Sequence, residues 1–203
     1  MPVTIPLLMA GAYLVGSIPT GVLLARWKGL PDPRSAGSGN IGATNVARTL
    51  GKRMGILTLL GDAAKGAAPV LAGRLCGLAL GPLSAVAAAG VLGHIASVFL
   101  RFRGGKGVAT GLGAFLALTP VAALAAALVF ALAFATTRIV SLSSILGTAA
   151  LPLVLVSQAS TRPAAMAAAV VAILVIARHQ ANLARLVRGE EPRFGRAPRG
   201  TDA

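Results

Sequence analysis

RSAGSGNIGATNVARTLGKR, residues 34 to 53, is a polar, glycine-rich stretch set between hydrophobic segments that each look able to enter a membrane. It is too poor in large side chains to form a core and too regular in Gly, Ser, Asn and Thr to be a casual linker. Gly37, Gly39 and Gly42 permit turns that bring successive backbone N–H groups toward one point. Ser38, Asn40, Thr44 and Asn45 add neutral donors, and Arg34 and Arg48 bracket the stretch with positive charge. These are the parts of an anion cradle, with phosphate the best-fitting anion. A flexible loop between two membrane helices would share the same composition.

The surrounding chain decides the class. Its 203 residues are 56% hydrophobic and 12% charged, with a mean hydropathy of +0.81. A soluble domain would carry about 25% charged residues, so a polytopic membrane protein is expected. Aromatics are only 4%, while Ala, Gly and Leu dominate, which predicts close helix packing through small residues. The formal charge of +14 raises the question of nucleic acid. The basic residues lie beside apolar runs, however, with no strand pattern of surface aromatics, which favours anionic lipid head groups and an anionic substrate over a polynucleotide. A single cysteine, Cys76, excludes an intrachain disulfide, and with two histidines a structural zinc site is not expected. No cofactor and no metal are expected.

Seven apolar segments are read along the chain: about Val3 to Leu24, Met54 to Ala72, Gly77 to Phe99, Val108 to Leu118, Val121 to Ala135, Leu142 to Val156 and Ala164 to Ala177. The first lacks a preceding basic region, so it is read as part of the mature chain and not as a cleaved signal. Pro19 is expected to bend or interrupt it, and Arg26, Trp27 and Lys28 mark an interface. The second carries Asp62 and Lys65, three apart on one helix face: either a functional pair or an ion pair holding helices in register. The fourth is short for a crossing. The expected fold is therefore an all-α polytopic bundle of about seven transmembrane segments. It is read as a single integral-membrane domain over residues 1 to 203, with a basic cytoplasmic tail from about residue 178 that is poorly ordered after Glu191. Seven alternating crossings would put 16 of the 19 Lys and Arg residues on one side, placing the N-terminus outside and the C-terminus in the cytoplasm. Every glycine-rich polar stretch then falls toward the cytoplasmic ends, where a site built from several loops is expected.

GGKG, residues 104 to 107, sets Lys106 in a turn whose glycines can expose N–H groups, with Arg101 and Arg103 nearby. It is not a nucleotide-binding P-loop, since the spacing and the terminal Ser/Thr are missing. Phosphate binding and an ordinary basic loop both fit. His94 is read either as orienting substrate or as capping a helix. His179 lies three residues before Asn182, with Arg178 and Arg185 close by. A base at His179 is chemically reasonable, as is a positioning role. Ser141, Ser143 and Ser144 follow Arg138 without a nucleophile elbow or acidic partner, so hydrogen bonding or capping fits them better than covalent catalysis.

Taken together and in order, GSGNIGATN (37 to 45), GGKGVAT (104 to 110), SLSS (141 to 144) and HQANLARLVRGEEP (179 to 192) resemble the bacterial membrane glycerol-3-phosphate acyltransferases that use acyl phosphate. The resemblance spans nearly the whole chain, and the first two motifs together are specific. It implies transfer of a fatty acyl group from acyl phosphate to the 1-hydroxyl of sn-glycerol 3-phosphate, giving lysophosphatidate and phosphate. It also implies the bacterial inner membrane, a cytoplasmic site, membrane lipids as surroundings and an upstream acyl-phosphate-forming enzyme. The catalytic set that it implies is Ser38, Arg48, Lys106, His179 and Asn182. The substrate-binding set is Gly37, Asn40, Gly42, Thr44, Asn45, Gly104, Gly105, Gly107, Ser141 and Ser143. Acyl phosphate is already an activated anhydride, so no covalent intermediate is required, and the donor's phosphate can itself take the hydroxyl proton. This chain departs from the family's pattern at Ala96 and Ser97, where an aromatic and a proline are common, and at Gln180, where a basic residue is common. The alternative from a different class is a transporter of phosphate or a small organic anion, since broken helix ends can bind phosphate for passage as well as for reaction.

Overall fold

Proline and glycine set the helix boundaries in a computed structural model of the protein, which describes residues 4–157 and 159–195. Helix α1 (Thr4–Ser17) stops immediately before the Ile18-Pro19 pair, and α2 (Thr20–Trp27) continues after a 46° bend. Pro19 has no N–H to continue the ladder, so the break falls where expected. The glycine-rich stretch then runs to α3 (Ala43–Leu50), and Gly51, at φ +95°, turns the chain into α4 (Lys52–Leu75). Next come α5 (Leu80–Ile95) and a 3-10 turn at Val98–Leu100, then α6 (Val108–Leu118) and α7 (Pro120–Thr137). The last elements are α8 (Val140–Val156), α9 (Arg162–Ala177) and α10 (Gln180–Val187).

All seven apolar segments are helical, but the count of about seven crossings is corrected. Four spans, Lys52–Leu75, Leu80–Leu100, Pro120–Thr137 and Ala159–Ala177, are long and apolar enough to cross a membrane; the bent α1–α2 pair makes a fifth if taken as one span. Helix α6 has 11 residues and α8 has 17. At about 1.5 Å per residue these reach roughly 16 and 25 Å, short of a hydrocarbon core of about 30 Å. The placement of the N-terminus outside and the C-terminus in the cytoplasm relied on seven alternating crossings and falls with that count. The end expected to be poorly ordered lies, from residue 196 onward, outside the described residues.

The bundle core lies where α1 packs along α5, α4 along α6, and α9 against α5 and α8. Val70, Val86, Val91, Phe115, Val171 and Val175 fill it. Close crossing depends on missing side chains: a Cβ on Gly66 would collide with Thr110 O, and one on Gly113 with Ala63 O. This is the small-residue packing that the composition predicts. Val121, Leu124, Leu128 and Leu132 of α7 remain exposed, an outward apolar face suited to lipid. Trp27, the last residue of α2, is exposed, with Lys28 Nζ 4.2 Å from its ring centroid.

Candidate active site

The stretch from Pro33 to Asn45 is held by one side chain. Asn45, buried at the start of α3, donates from Nδ2 to Pro33 O (2.7 Å), Asn40 O (2.8 Å) and Ala36 O (3.3 Å). Its Oδ1 accepts the N–H of Ser38 at 2.8 Å. Gly37, at φ +62°, passes so close that a Cβ would strike Asn45 Oδ1. Asn45 thus shapes the loop, its polar atoms already engaged. Asn40 Oδ1 caps the N–H of Gly42 at 2.9 Å. Arg34 is held by Asp32 in its own turn through Nε and Nη2, which holds the Asp32 carboxyl below its ordinary range. What this loop leaves outward are the side chains of Ser38, Thr44 and Arg48, all exposed.

The second loop follows α5. Arg101 and Phe102 take left-handed backbone (φ 52° and 63°) and turn the chain back over the helix end. Gly104 N–H donates to Ile95 O (3.1 Å) and Gly105 N–H to His94 O (3.0 Å). The glycine N–H groups expected to face an anion are therefore spent on the carbonyls that α5 leaves open at its C-terminus. From the other side, Arg178 donates Nη2 to Gly104 O (3.1 Å) and Nε to Gly105 O (3.3 Å). Gly107, at φ +86°, caps α6, whose first N–H groups have no acceptor within the helix. Arg101 and Arg103 are exposed.

Lys106 leaves this turn toward the third group. Its Nζ donates to Asn182 Oδ1 at 2.5 Å, and Asn182 Nδ2 donates to Glu191 Oε1 at 2.5 Å. The same Glu191 carboxylate accepts Ser141 Oγ at 2.7 Å and Arg185 Nε at 2.7 Å. Residues 106, 141, 182, 185 and 191 thus meet at one place. Burial pulls the Lys106 ammonium down to about 8; Glu191 opposes this, while the charges of Arg185, Arg48 and Arg178 add to it. Arg48 thus adds to the positive field that Lys106 feels. Burial pushes the Glu191 carboxyl up, but hydrogen bonds from Ser141, Asn182 and Arg185 outweigh it and hold the group below its ordinary range.

His179 is 2% exposed, and its Nδ1 lies 2.7 Å from Val175 O. A carbonyl only accepts, so Nδ1 carries the proton and the neutral ring keeps a lone pair on Nε2. Burial, helped by the charge of Lys106, pulls its titration down to about 4. Ser143 Oγ and Ser144 Oγ turn back to Ile139 O and Val140 O in their own helix, both at 2.8 Å. The Ser38 hydroxyl makes no hydrogen bond to protein among the described residues. No group of three His, Cys, Asp or Glu side chains able to hold a metal lies among the described residues.

Sequence reasoning missed Glu191 as the centre of the cluster and Arg178 as the clasp on the glycine loop. The available signal was Gly189 after α10, at φ +71°, which reverses the chain and returns Glu191 to the face bearing Asn182 and Arg185.

Fold and site together define a helical membrane protein in which the GGKG turn, the start of α8 and helix α10 bring Lys106, Ser141, Asn182 and Arg185 together around Glu191. Residues 6–189 match the family model for glycerol-3-phosphate acyltransferase. A glycerol-3-phosphate acyltransferase of Syntrophotalea carbinolica is 52% identical over 93% of this chain and 96% of its own length, and one of Geobacter sulfurreducens is 52% identical with the same coverage. The crystal structure of PlsY (YgiH), an integral membrane glycerol 3-phosphate acyltransferase, superposes in its glycerol 3-phosphate form with a TM-score of 0.89 at 42% identity, covering 95% of this chain and 96% of that one. Its lysophosphatidic acid form superposes with a TM-score of 0.87 at 41% identity and the same coverage. The chain belongs to the glycerol-3-phosphate acyltransferase family.

Proposed function

We propose that Lys106, where the GGKG turn meets α10 and the start of α8, holds a substrate phosphate while an acyl group passes over it. The protein transfers a fatty acyl group from acyl phosphate to sn-glycerol 3-phosphate, yielding 1-acyl-glycerol 3-phosphate and inorganic phosphate. The observation that carries the site reading is the convergence of Lys106, Asn182 and Ser141 with Arg185, under the field of Arg48 and Arg178. The relatives' glycerol 3-phosphate and lysophosphatidic acid forms supply the acceptor and the product.

The chemistry follows from the protonation states. The acceptor's 1-hydroxyl attacks the acyl carbonyl, the C–O bond to phosphate breaks, and the departing phosphate takes the proton. Lys106, titrating near 8, is mostly charged at neutral pH and offsets charge on the leaving group. His179, titrating near 4, is neutral and too weak a base to draw the proton far. Its Nε2 lone pair instead accepts the hydroxyl's hydrogen bond and fixes the angle of attack. Ser38, Arg48 and the free N–H groups of Lys106 and the α6 start hold the second phosphate. Asn45, Asn40, Gly37 and Gly42 set the shape of the loop that presents Ser38, Thr44 and Arg48. Gly104, Gly105 and Gly107 hold Lys106 in place, and Ser143 seats the first turn of α8. The donor's acyl chain lies between apolar helices, each buried methylene contributing about 0.8 kcal/mol to retention. Residues 1–203 act as one domain.

Purified protein supplied with acyl phosphate and glycerol 3-phosphate should form lysophosphatidate and phosphate one for one. Absence of product from folded, detergent-solubilised protein would sink the reading. Phosphate uptake into proteoliposomes without conversion would favour the transporter.

We place the site on the cytoplasmic face, supported by the Lys and Arg residues gathered around the polar loops. Cys76, exposed at the far end of α4, reports on this. A membrane-impermeant maleimide should label it in intact spheroplasts; labelling confined to inverted vesicles would reverse the placement. An upstream acyl-phosphate-forming enzyme is proposed to deliver the hydrolysis-prone donor to the same face.

A further inference from the structure

Four buried polar side chains outside the reaction cluster form a knot where α4, α5 and α6 cross. Asp62 is 1% exposed, Lys65 7%, His94 3% and Thr110 0%. Lys65 Nζ lies 2.8 Å from Asp62 Oδ1, but its hydrogen bond goes elsewhere, to Ile18 O at 2.6 Å. Ile18 O is the carbonyl at the bend between α1 and α2, next to Pro19. His94 Nδ1 is 3.1 Å from Thr110 Oγ1 and 3.6 Å from Asp62 Oδ1. The opposite edge of the ring backs Gly105: a Cβ there would collide with Nε2. His94 O also holds the N–H of Gly105, and Thr110 lies in the first turn of α6, four residues after Lys106.

Ionisable groups at this depth are costly, and a buried ion pair is often no more stabilising than apolar residues of equal volume. The knot is therefore not accounted for by stability. Its contacts account for it better, because they tie the bend that starts α2, the helix running toward the first polar loop, to the backbone on either side of Lys106. We infer that Asp62, Lys65, His94 and Thr110 are positioning residues: they hold the first polar loop and the Gly104–Gly107 turn in one frame and so set where the Lys106 ammonium meets a phosphate. Ser97, fully buried, adds a tie at the same bend by donating to Ser17 O at 2.5 Å.

The kinetic part rests on the acyl-transfer reading; the binding part does not. Thr110→Val keeps the volume and removes the hydroxyl that holds His94. His94→Asn keeps a polar atom near Thr110 and removes the ring behind Gly105. In the full chain in detergent, each should raise the KM for glycerol 3-phosphate and weaken inorganic phosphate binding, measured by calorimetry without acyl donor, by about ten- to a hundredfold. The loss of kcat should be smaller, and Thr110→Ser should restore both constants. Unchanged KM and phosphate constants in whichever of the two variants folds would overturn the inference, as would a loss confined to the fraction of active molecules. Weakened phosphate binding in protein that makes no lysophosphatidate would keep the positioning role and reject the acyl-transfer reading instead.

Discussion

Replacing Lys106 by Arg tests whether its charge is what the reaction uses. Lysine ordinarily titrates near 10.5, and burial brings Lys106 to about 8, so its charge is present below pH 8 and lost as pH rises through that value. The charged fraction would fall from about nine-tenths at pH 7 to about one-tenth at pH 9, and kcat/KM, which reports the free enzyme, should fall about tenfold over that interval. The substrates' phosphates titrate near pH 6, so they do not produce this descent. Arg stays charged throughout. Lys106→Arg should therefore have a lower absolute rate, because the guanidinium does not fit the ammonium's place beside Asn182, but a flat profile from pH 7 to 9. Lys106→Met should lose about 10- to 150-fold at pH 7, the equivalent of about 1.5 to 3 kcal/mol for a charged hydrogen bond. The assay is initial rate of lysophosphatidate formation at subsaturating glycerol 3-phosphate across pH. An Arg variant that keeps the same descent would refute the assignment to Lys106.

His179 titrates near 4 when folded against about 6.5 otherwise, so the unfolded chain binds its proton first and stability is lost as pH falls from 6.5 toward 4. The loss is at most about 3 kcal/mol. Thermal unfolding of His179→Gln should decline less steeply in that window, and equal slopes would contradict the shift. Asn45→Ala orphans the carbonyls of Pro33 and Asn40 and the N–H of Ser38, while Ala36 O keeps the N–H of Gly39; this should lower stability by roughly 2 to 4 kcal/mol and raise the KM for a phosphate substrate. A variant with unchanged melting and kinetics would show that the loop keeps its shape without this residue. Ser141→Ala removes a donor from Glu191 and should lower kcat/KM several-fold. Ser143→Ala, whose hydroxyl bonds only its own helix, should stay within about twofold, since surplus helix bonds of this kind contribute little. A larger effect at Ser143 would mean that its hydroxyl turns toward substrate.

Composition and spacing were sufficient for an all-α membrane bundle, for the break at Pro19 and for the start of α6 beside GGKG, because bilayer length, proline and glycine act on the local chain. The ordered motifs were also enough to indicate the family. The number of crossings was not legible, because an apolar segment such as α6 satisfies the composition of a span without its length. The loops' internal assignments also needed the fold. Asn45 has the chemistry of a ligand donor, and only the path of residues 33 to 40 around it shows its polar atoms already engaged. Gly104 and Gly105 have the chemistry of an anion nest, yet their N–H groups close the end of α5. Glu191, Arg178 and the Asp62–His94 knot depend on partners dozens of residues away, and no local pattern encodes which buried carbonyl or carboxylate a side chain will meet. Sequence by itself showed which groups carry the donors that an anion needs; packing of the helices decided which of them are already committed to the protein, because leaving a buried polar atom without a partner is costly.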